Sequence, residues 1–519
     1  MGMYMDRTFQ SIVDYWAEET PDREVIFDGL RRMSYQELKE EIHQTAAALV
    51  QLNLQKGDKV LTFIPNWHEF IVIFFALAKC GAILIPCNFV SEKEEMDERL
   101  KTIRPKMVFV GGPSQLTCLQ KNSDMYELIT VRFKEEGYQS FSELLEAGRN
   151  KTFESVKINP YEDLFVIMFT SGSTGSPKGV ELTYESLYRS ARNIGYHLRA
   201  AGQDNFLVPI PCCHMFGIVT GLILPCYFGG KIVLMNRFQP EEALALIEQE
   251  KVTVIYGVPT MFIRILHECE QNKKEVSSLR TGIIAGAYCD EYVVRQISSE
   301  LCCDIMVAYG STESVAISMT SFEDDLATRS QTVGRPLDGV EVKVVNDDLE
   351  SLEAGEEGEL LCRGYAVMKG YYEMPDETTK AFKDNGWLHT GDLATIDHLG
   401  VIRIIGRKKD MIIRGGYNIY PAEVEKVYYA HPAVLEVCVM GVHHVELGEQ
   451  TLAFIQLKEN SQETEETLRD YAKGKVSKYK IPDRVIKLAK MPKLENGKIN
   501  KQVLSRYFKR EKQTLIMED

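Results

Sequence analysis

The sequence predicts an α/β protein: a large N-terminal domain of parallel sheets with helices on both faces plus a barrel-like subdomain, then a small C-terminal α+β domain. Three observations carry this prediction. From residue 8 to about residue 310, short apolar runs alternate with amphipathic segments, the signature of repeated βα units. From Val333 to Tyr371, short strands lie between Gly, Asn and Asp turns, which suits antiparallel pairing. The run Gly406 to Gly416 then passes from charge through apolar residues to paired glycines, as a domain boundary does. A chain of 519 residues also exceeds one ordinary core. The boundary is placed after Lys408, giving domains 1–408 and 409–519.

The elements follow in order. Phe9 to Glu18 and Tyr35 to Leu52 carry apolar residues at helical spacing, and Lys59 to Ile64 reads as a strand. The run Phe70 to Pro86 approaches the length of a membrane span. Lys79 and Gly81 split it, however, so it reads as a buried helix followed by a buried parallel strand. Met107 to Val110 is a further strand, and this first part of the chain reads as scaffold. Leu164 to Phe169 is an apolar strand, Val180 to Leu182 is a second short one, and Thr183 caps a helix to about Leu198. Apolar runs at Phe206–Pro209, Lys231–Leu234, Val252–Thr260, Thr281–Ala287 and Met306–Tyr309 each end in Gly, Pro or another loop signal. Ligands of open α/β sheets bind beyond strand carboxyl ends, so these ends are candidate walls of one pocket. Val340–Val345 and Glu359–Cys362 are short strands of the barrel-like piece. In the last domain Val434–Gly441 and Leu452–Leu457 read as strands and Glu463–Ser477 as a helix.

Composition narrows the function classes. A hydrophobic fraction of 45% is that of a soluble globular protein, and a formal charge of −15 gives no footing for nucleic acid. The twelve cysteines are scattered, with adjacent pairs Cys212-Cys213 and Cys302-Cys303 and no C-x-x-C, so they read as reduced thiols rather than a zinc or redox site. Met1 to Glu19 lacks a signal-peptide core, and Ile516 to Asp519 matches no peroxisomal or lipidation ending. A cytoplasmic protein with no integral membrane segment is the expectation.

Several stretches carry chemistry. The loop Thr170-Ser171-Gly172-Ser173-Thr174-Gly175-Ser176-Pro177-Lys178-Gly179 leaves a buried strand. Its glycines let backbone N–H groups approach phosphate oxygens, its hydroxyls donate, and Lys178 supplies charge. It is not a Walker A loop, because Pro177 precedes the lysine and Gly179 follows it. In Tyr309-Gly310-Ser311-Thr312-Glu313, Tyr309 can stack on a purine and Gly310 permits close approach. Thr312 can donate to phosphate, and Glu313 offers a hard oxygen to Mg²⁺. Asp392 follows Thr390-Gly391; an aspartate at a Gly turn is commonly a turn former, but a buried one can accept both ribose hydroxyls. Asn496-Gly497 makes a tight turn that projects Lys498. His214, a lone histidine beside apolar residues, reads by itself as a core histidine.

These motifs, in this order, resemble those of the adenylate-forming superfamily: acyl-CoA synthetases, fatty acyl- and aryl-CoA ligases, luciferases and the adenylation domains of peptide synthetases. The resemblance covers roughly residues 8 to 505. It implies that Thr170 to Gly175 hold the phosphates of ATP, that Tyr309, Gly310, Gly286 and Ala287 line the adenine and acyl pockets, and that Asp392 and Arg407 hold ribose. Phe216, Val258 and Ser314 would complete the acyl pocket, and His214 would gate it from a thiol tunnel. Lys409 would be the pivot of a mobile C-terminal domain, at a position where many members have Asp. Gly415 and Gly416 would then admit pantetheine. The implied catalytic set is Lys498, Thr312, Glu313, Lys178 and His214, with Glu313 as metal ligand and ATP, Mg²⁺ and CoA as cofactors.

The implied reaction is an acid–thiol ligation through acyl-AMP. Met215-Phe216-Gly217 offers no acid to hold an amine, so an apolar acid is expected, fatty before aromatic. Its partners would be that small carboxylic acid, ATP and CoA; a homodimer and a free acyl-carrier protein complete the partner expectations. Loading of a carrier-protein thiol, light emission by a related monooxygenase, and nucleotide-binding regulation without catalysis are the alternatives.

Overall fold

A computed structural model describes residues 8–508, apart from 90, 92, 120–124, 171–176, 273, 288, 290, 302, 383–385, 445, 460, 495 and 496. The large domain is built on two mainly parallel sheets. In the nine-stranded sheet the parallel order runs Asp304–Tyr309, Thr281–Ile284, Val254–Gly257, Asn205–Val208, Lys231–Leu234 and Glu24–Phe27, with short antiparallel strands at both edges. In the eight-stranded sheet it runs Leu164–Thr170, Ile83–Pro86, Lys59–Phe63, Met107–Val110, Glu127–Thr130 and Gln139–Ser140. The strand Lys178–Thr183 extends this second sheet as an antiparallel hairpin partner of Leu164–Thr170, and Gly370–Tyr371 pairs beyond it.

The period of two along each strand sets the layering. Phe206 and Val208 face a central core while Leu207 faces an outer one; Tyr256 and Ile255 divide in the same way. In the other sheet Met107 and Phe109 face the central core while Val108 and Val110 face a second outer one. Both sheets are therefore buried on two faces, and helices fill the layer between them. The run Phe70 to Pro86 shows this directly. Its helix, His68–Cys80, is buried at every residue, ends at Gly81 with φ +71°, and is followed by the parallel strand Ile83–Pro86. The buried Lys79 in it is neutralised by Asp14. No described helix is long and apolar enough to cross a membrane.

Local signals set the helix starts. Ser34 and Glu37 form a reciprocal capping box before Tyr35–Gln51, with contacts of 2.7 and 3.2 Å. The Thr183 hydroxyl accepts from Ser186 N at 3.2 Å, starting the helix Tyr184–His197. Six buried cysteines, Cys80, Cys87, Cys212, Cys226, Cys362 and Cys438, have their thiols raised by burial, which keeps them protonated.

A four-stranded antiparallel sheet (Val340–Val345, Gly358–Gly364, Leu388–Ile396, Ile402–Arg407) forms the expected third piece. Asp392 lies within the strand Leu388–Ile396, directly opposite Arg407 of Ile402–Arg407, and Gly391, at φ +72°, is carried inside that strand. The C-terminal domain pairs Tyr417–Ile419, Ile412–Arg414, Gly448–Leu457, Val434–His444 and Arg484–Leu488 in one sheet. Its helix is shorter than expected: Glu465–Tyr471 instead of Glu463–Ser477. Gly474, at φ +75°, and the bridge between Lys473 and Val476 end it.

Candidate active site

The site gathers where the apolar strands stop and polar loops begin. At one edge, Thr170 and Lys178 face each other across the last rung of the hairpin. Ser171, Gly172, Ser173, Thr174 and Gly175 of the expected phosphate loop lie outside the described residues. Lys178 is ion-paired with Glu377, and its ammonium sits 4.8 Å from the Tyr371 ring centroid. Lys178 first, then Lys380, hold the Glu377 carboxyl down to about 2. Tyr371 donates its hydroxyl to Glu313 Oε1 at 3.2 Å, while burial and then the Glu313 charge push that phenol upward.

Thr312 and Glu313 are half-buried in the turn after Asp304–Tyr309. The turn is tight. A Cβ on Gly310 would lie 2.4 Å from the Val315 carbonyl oxygen, so the turn's own backbone demands glycine there. Ser314 is fully buried, and its hydroxyl lies 3.0 Å from that of Ser311.

Another edge is a buried carboxylate with two donors. Asp392 Oδ2 accepts from the Tyr309 hydroxyl at 2.6 Å, and Oδ1 accepts from Arg407 Nε at 3.1 Å. Burial raises the Asp392 carboxyl, and Arg407 and Tyr309 offset this only in part. The Arg407 side chain is itself half exposed.

Lys498 reaches this site from the C-terminal domain. Gly497, at φ +81°, turns the chain, and its carbonyl accepts from Thr260 Oγ1 at 2.8 Å. A Cβ on Gly286, itself at φ +84°, would lie 3.3 Å from Lys498 Cε and 3.7 Å from Nζ. Burial, then repulsion from Arg407, lower the Lys498 ammonium, with Asp392 opposing. Burial and then the Lys498 charge bring His214 down to about 4. The imidazole is therefore neutral at pH 7. It stands just before the short helix Met215–Ile218, whose next residue but one, Phe216, places its ring 6.2 Å from that of Tyr256. Val258 is buried beneath Gly286 and Gly497: its methyls would meet a Cβ on either, at 3.4 and 2.9 Å.

Lys409 lies in the turn Lys408–Asp410 that leaves the four-stranded sheet, and burial followed by the Arg407 charge lowers its ammonium. Lys498, His214, Gly286, Val258, Asp392, Tyr309 and Arg407 thus converge, while Lys178, Glu313 and Tyr371 form a second edge. Gly415 and Gly416 do not join them. They form the exposed tip of a hairpin, with Gly415 N bonded to Leu447 O at 2.8 Å. Ala287 is exposed beside Gly286.

Two residues at this site carry no sequence signal: Tyr371 and Glu377. Tyr371 and Glu377 sit in an ordinary turn-and-helix stretch, Gly370 to Ala381, where a charged residue reads as surface. Thr260 ends a run expected to wall the pocket, but no local pattern announces its partner 237 residues away.

Comparison with known proteins places this geometry. The model of the AMP-binding enzyme family matches residues 13–372, and that of the AMP-binding enzyme C-terminal domain matches residues 423–498. YngI of Bacillus subtilis (strain 168), provisionally named an acyl-CoA synthetase, is 36% identical over 97% of both chains. The mitochondrial medium-chain acyl-CoA ligase ACSF2 of Bos taurus is 32% identical over 96% of this chain and 88% of its own. ATP-bound MatB from Rhodopseudomonas palustris superposes with a TM-score of 0.87 at 27% identity, covering 96% of this chain and 99% of its own. The chain belongs to the AMP-binding enzyme family, and within it to the ATP-using acid–thiol ligases of the acyl-CoA synthetase kind.

Proposed function

We propose that this ligase activates an apolar carboxylic acid, with a fatty acid first among the candidates, and passes the acyl group through acyl-AMP to the thiol of CoA. One observation carries the reading: Lys498 of the small domain is seated at Gly286 of the large one, within electrostatic reach of His214, Asp392 and Arg407. A carboxylate is a poor nucleophile and a poor target for thiols, so charge neutralisation and positioning dominate the chemistry.

In the first half-reaction a carboxylate oxygen attacks the α-phosphorus of ATP, and the bond to the bridging oxygen breaks to give acyl-AMP and pyrophosphate. Lys498 neutralises the carboxylate and phosphate oxygens that share charge in that step. Asp392 accepts the ribose hydroxyls with Arg407 beside it, and Tyr309, Gly310 and Ala287 border the base. Thr170 to Gly175, Thr312 and Lys178 hold the leaving phosphates. Mg²⁺ fits at Glu313: that carboxylate is half-buried on the same edge as Lys178, and Tyr371 orients one of its oxygens. Bound there, it would neutralise phosphate charge.

In the second half-reaction the CoA sulfur attacks the acyl carbon and AMP leaves. The domain boundary at 408/409 makes Lys409 the pivot of a rotation that withdraws Lys498 and brings Gly415 and Gly416 to the thiol path, with neutral His214 as the gate. Phe216, Val258 and the fully buried Ser314 are the apolar side of the acyl pocket in this reading. The medium-chain name of the Bos taurus relative supports starting with fatty acids of that length. A cytoplasmic location and the homodimer belong to the same reading.

The test is pyrophosphate release from ATP across a panel of fatty, aryl and short polar acids, with and without CoA, following AMP and thioester. Thioester on medium-chain acids is expected. Acyl-AMP that accumulates despite CoA would shift the acceptor to a carrier-protein thiol, and silence across the panel would overturn the ligase reading.

A further inference from the structure

The ion pair between Lys178 and Glu377 is not accounted for by the reaction. We propose that Glu377 is a built-in competitor for the polyphosphate of ATP: it holds Lys178 until the phosphates arrive, yields it to them, and reclaims it as pyrophosphate leaves. This rests on the reading of Lys178 as a phosphate ligand.

Four features support it. Lys178 stands opposite Thr170 on the last rung of the hairpin, so its ammonium is at the strand end where the proposed phosphate site begins. The carboxylate does not depend on Lys178, because Lys380 holds its other oxygen at 2.6 Å. Glu377 is also fixed in place. Tyr371 N donates to Thr378 Oγ1 at 2.8 Å, Tyr372 N to Gly179 O at 2.7 Å and Lys369 N to Glu181 O at 2.9 Å. These bonds lash the segment 369–378 to the sheet edge that begins at Lys178, so the carboxylate is presented to the lysine by backbone pairing. Finally, Tyr371 lies between the two halves of the edge, under the Lys178 ammonium and donating to Glu313. A metal drawing on Glu313 and a phosphate drawing on Lys178 would act on the same tyrosine.

The energetics follow from charge. Lys178 and Glu377 have side-chain exposures of 21% and 32%, so their attraction exceeds that of a fully solvated pair. A triphosphate entering beside a fixed carboxylate must either win the ammonium or accept repulsion. AMP carries no β- or γ-phosphate and should be indifferent.

Calorimetric binding of Mg·ATP, pyrophosphate and AMP without acid substrate tests this on wild type, Glu377→Gln, Lys178→Met and the double variant. Glu377→Gln should bind ATP and pyrophosphate about fivefold more tightly, a reasonable yield from one partly exposed charge. AMP affinity should not change, the gain should vanish in the Lys178→Met background, and Glu377→Asp should behave as wild type. Unchanged or weaker ATP binding in Glu377→Gln would overturn the proposal, the weaker case making Glu377 a support for Lys178. A gain that persists without Lys178 would overturn it as well. If wild type binds AMP but gains nothing from the β- and γ-phosphates, the phosphate-site reading falls and takes this proposal with it.

Discussion

Two buried aspartates in this protein are held in opposite ways. Asp28, at the end of the strand Glu24–Phe27, accepts from Leu30 N at 3.1 Å, Arg31 N at 2.9 Å and His68 Nδ1 at 2.8 Å, and pairs with Arg132. Arg132 also grips Glu69 at 2.8 and 3.0 Å. Burial raises the Asp28 carboxyl, but the His68 and backbone bonds outweigh it and hold it far below its ordinary range. Among the described residues Asp392 accepts side-chain hydrogen bonds from Tyr309 and the half-exposed Arg407, and burial outweighs them together with the nearby Lys409 charge. Asp28, His68 and Glu69 even bring ligand-type atoms within 4.8 Å of one another, yet Arg132 already pairs with both carboxylates. A saturated buried charge serves the structure; an under-satisfied one at a pocket's edge has capacity left for a ligand.

The largest effect should come from the lysine beside the under-satisfied cluster. Lys498→Ala should slow acyl-AMP formation by about 10³-fold, as loss of a positioned charge does. Thioester formation from supplied acyl-AMP should be largely spared; equal loss of both halves would erase the division of labour between the domain positions. Next come the aspartates themselves. Asp28→Asn should cost about 3 kcal/mol of stability, read as a lower melting temperature, because it leaves Arg132 under-compensated, with kcat/KM of the folded fraction unchanged. Asp392→Asn should instead raise KM for ATP about tenfold and leave melting nearly where it was, if the hydrogen bonds lost are to ribose. An exchange of those two phenotypes would break the comparison.

A further effect is one of pH. His214 titrates near 4 when folded, below the unfolded value, so the folded state binds fewer protons in that window. Its contribution to stability is therefore complete above the unfolded value and is lost as pH falls toward 4, up to about 3 kcal/mol in all. Acid unfolding of His214→Gln against wild type measures it. In Lys498→Ala the His214 resonance should titrate higher, since one of its two causes is gone; an unmoved titration would separate the two residues.

Most of the scaffold was legible because it is written locally. Apolar runs marked the strands, Thr183 marked a helix start, and Lys79 and Gly81 divided what looked like a membrane span. The same locality sets the limits. Nothing local shows that Asp392 lies in a strand, because that strand is imposed by pairing with Ile402–Arg407. The helix expected at Glu463–Ser477 was overrun by a pattern that Gly474 interrupts.

The site divides along the same line. Residue type and motif singled out Lys178, Tyr309 and Glu313 as chemistry-bearing, and the family resemblance added Asp392, Arg407 and Lys498. That Tyr309 meets Asp392 across 83 positions, that Glu377 meets Lys178 across 199, and that Thr260 anchors the turn presenting Lys498 across 237 was decided by the tertiary structure alone. The reason is physical. Periodicity and turn chemistry act over a few residues and fix which face a side chain occupies, whereas partners across sheets and domains are chosen by how two doubly buried sheets and a small domain pack to bury those faces together.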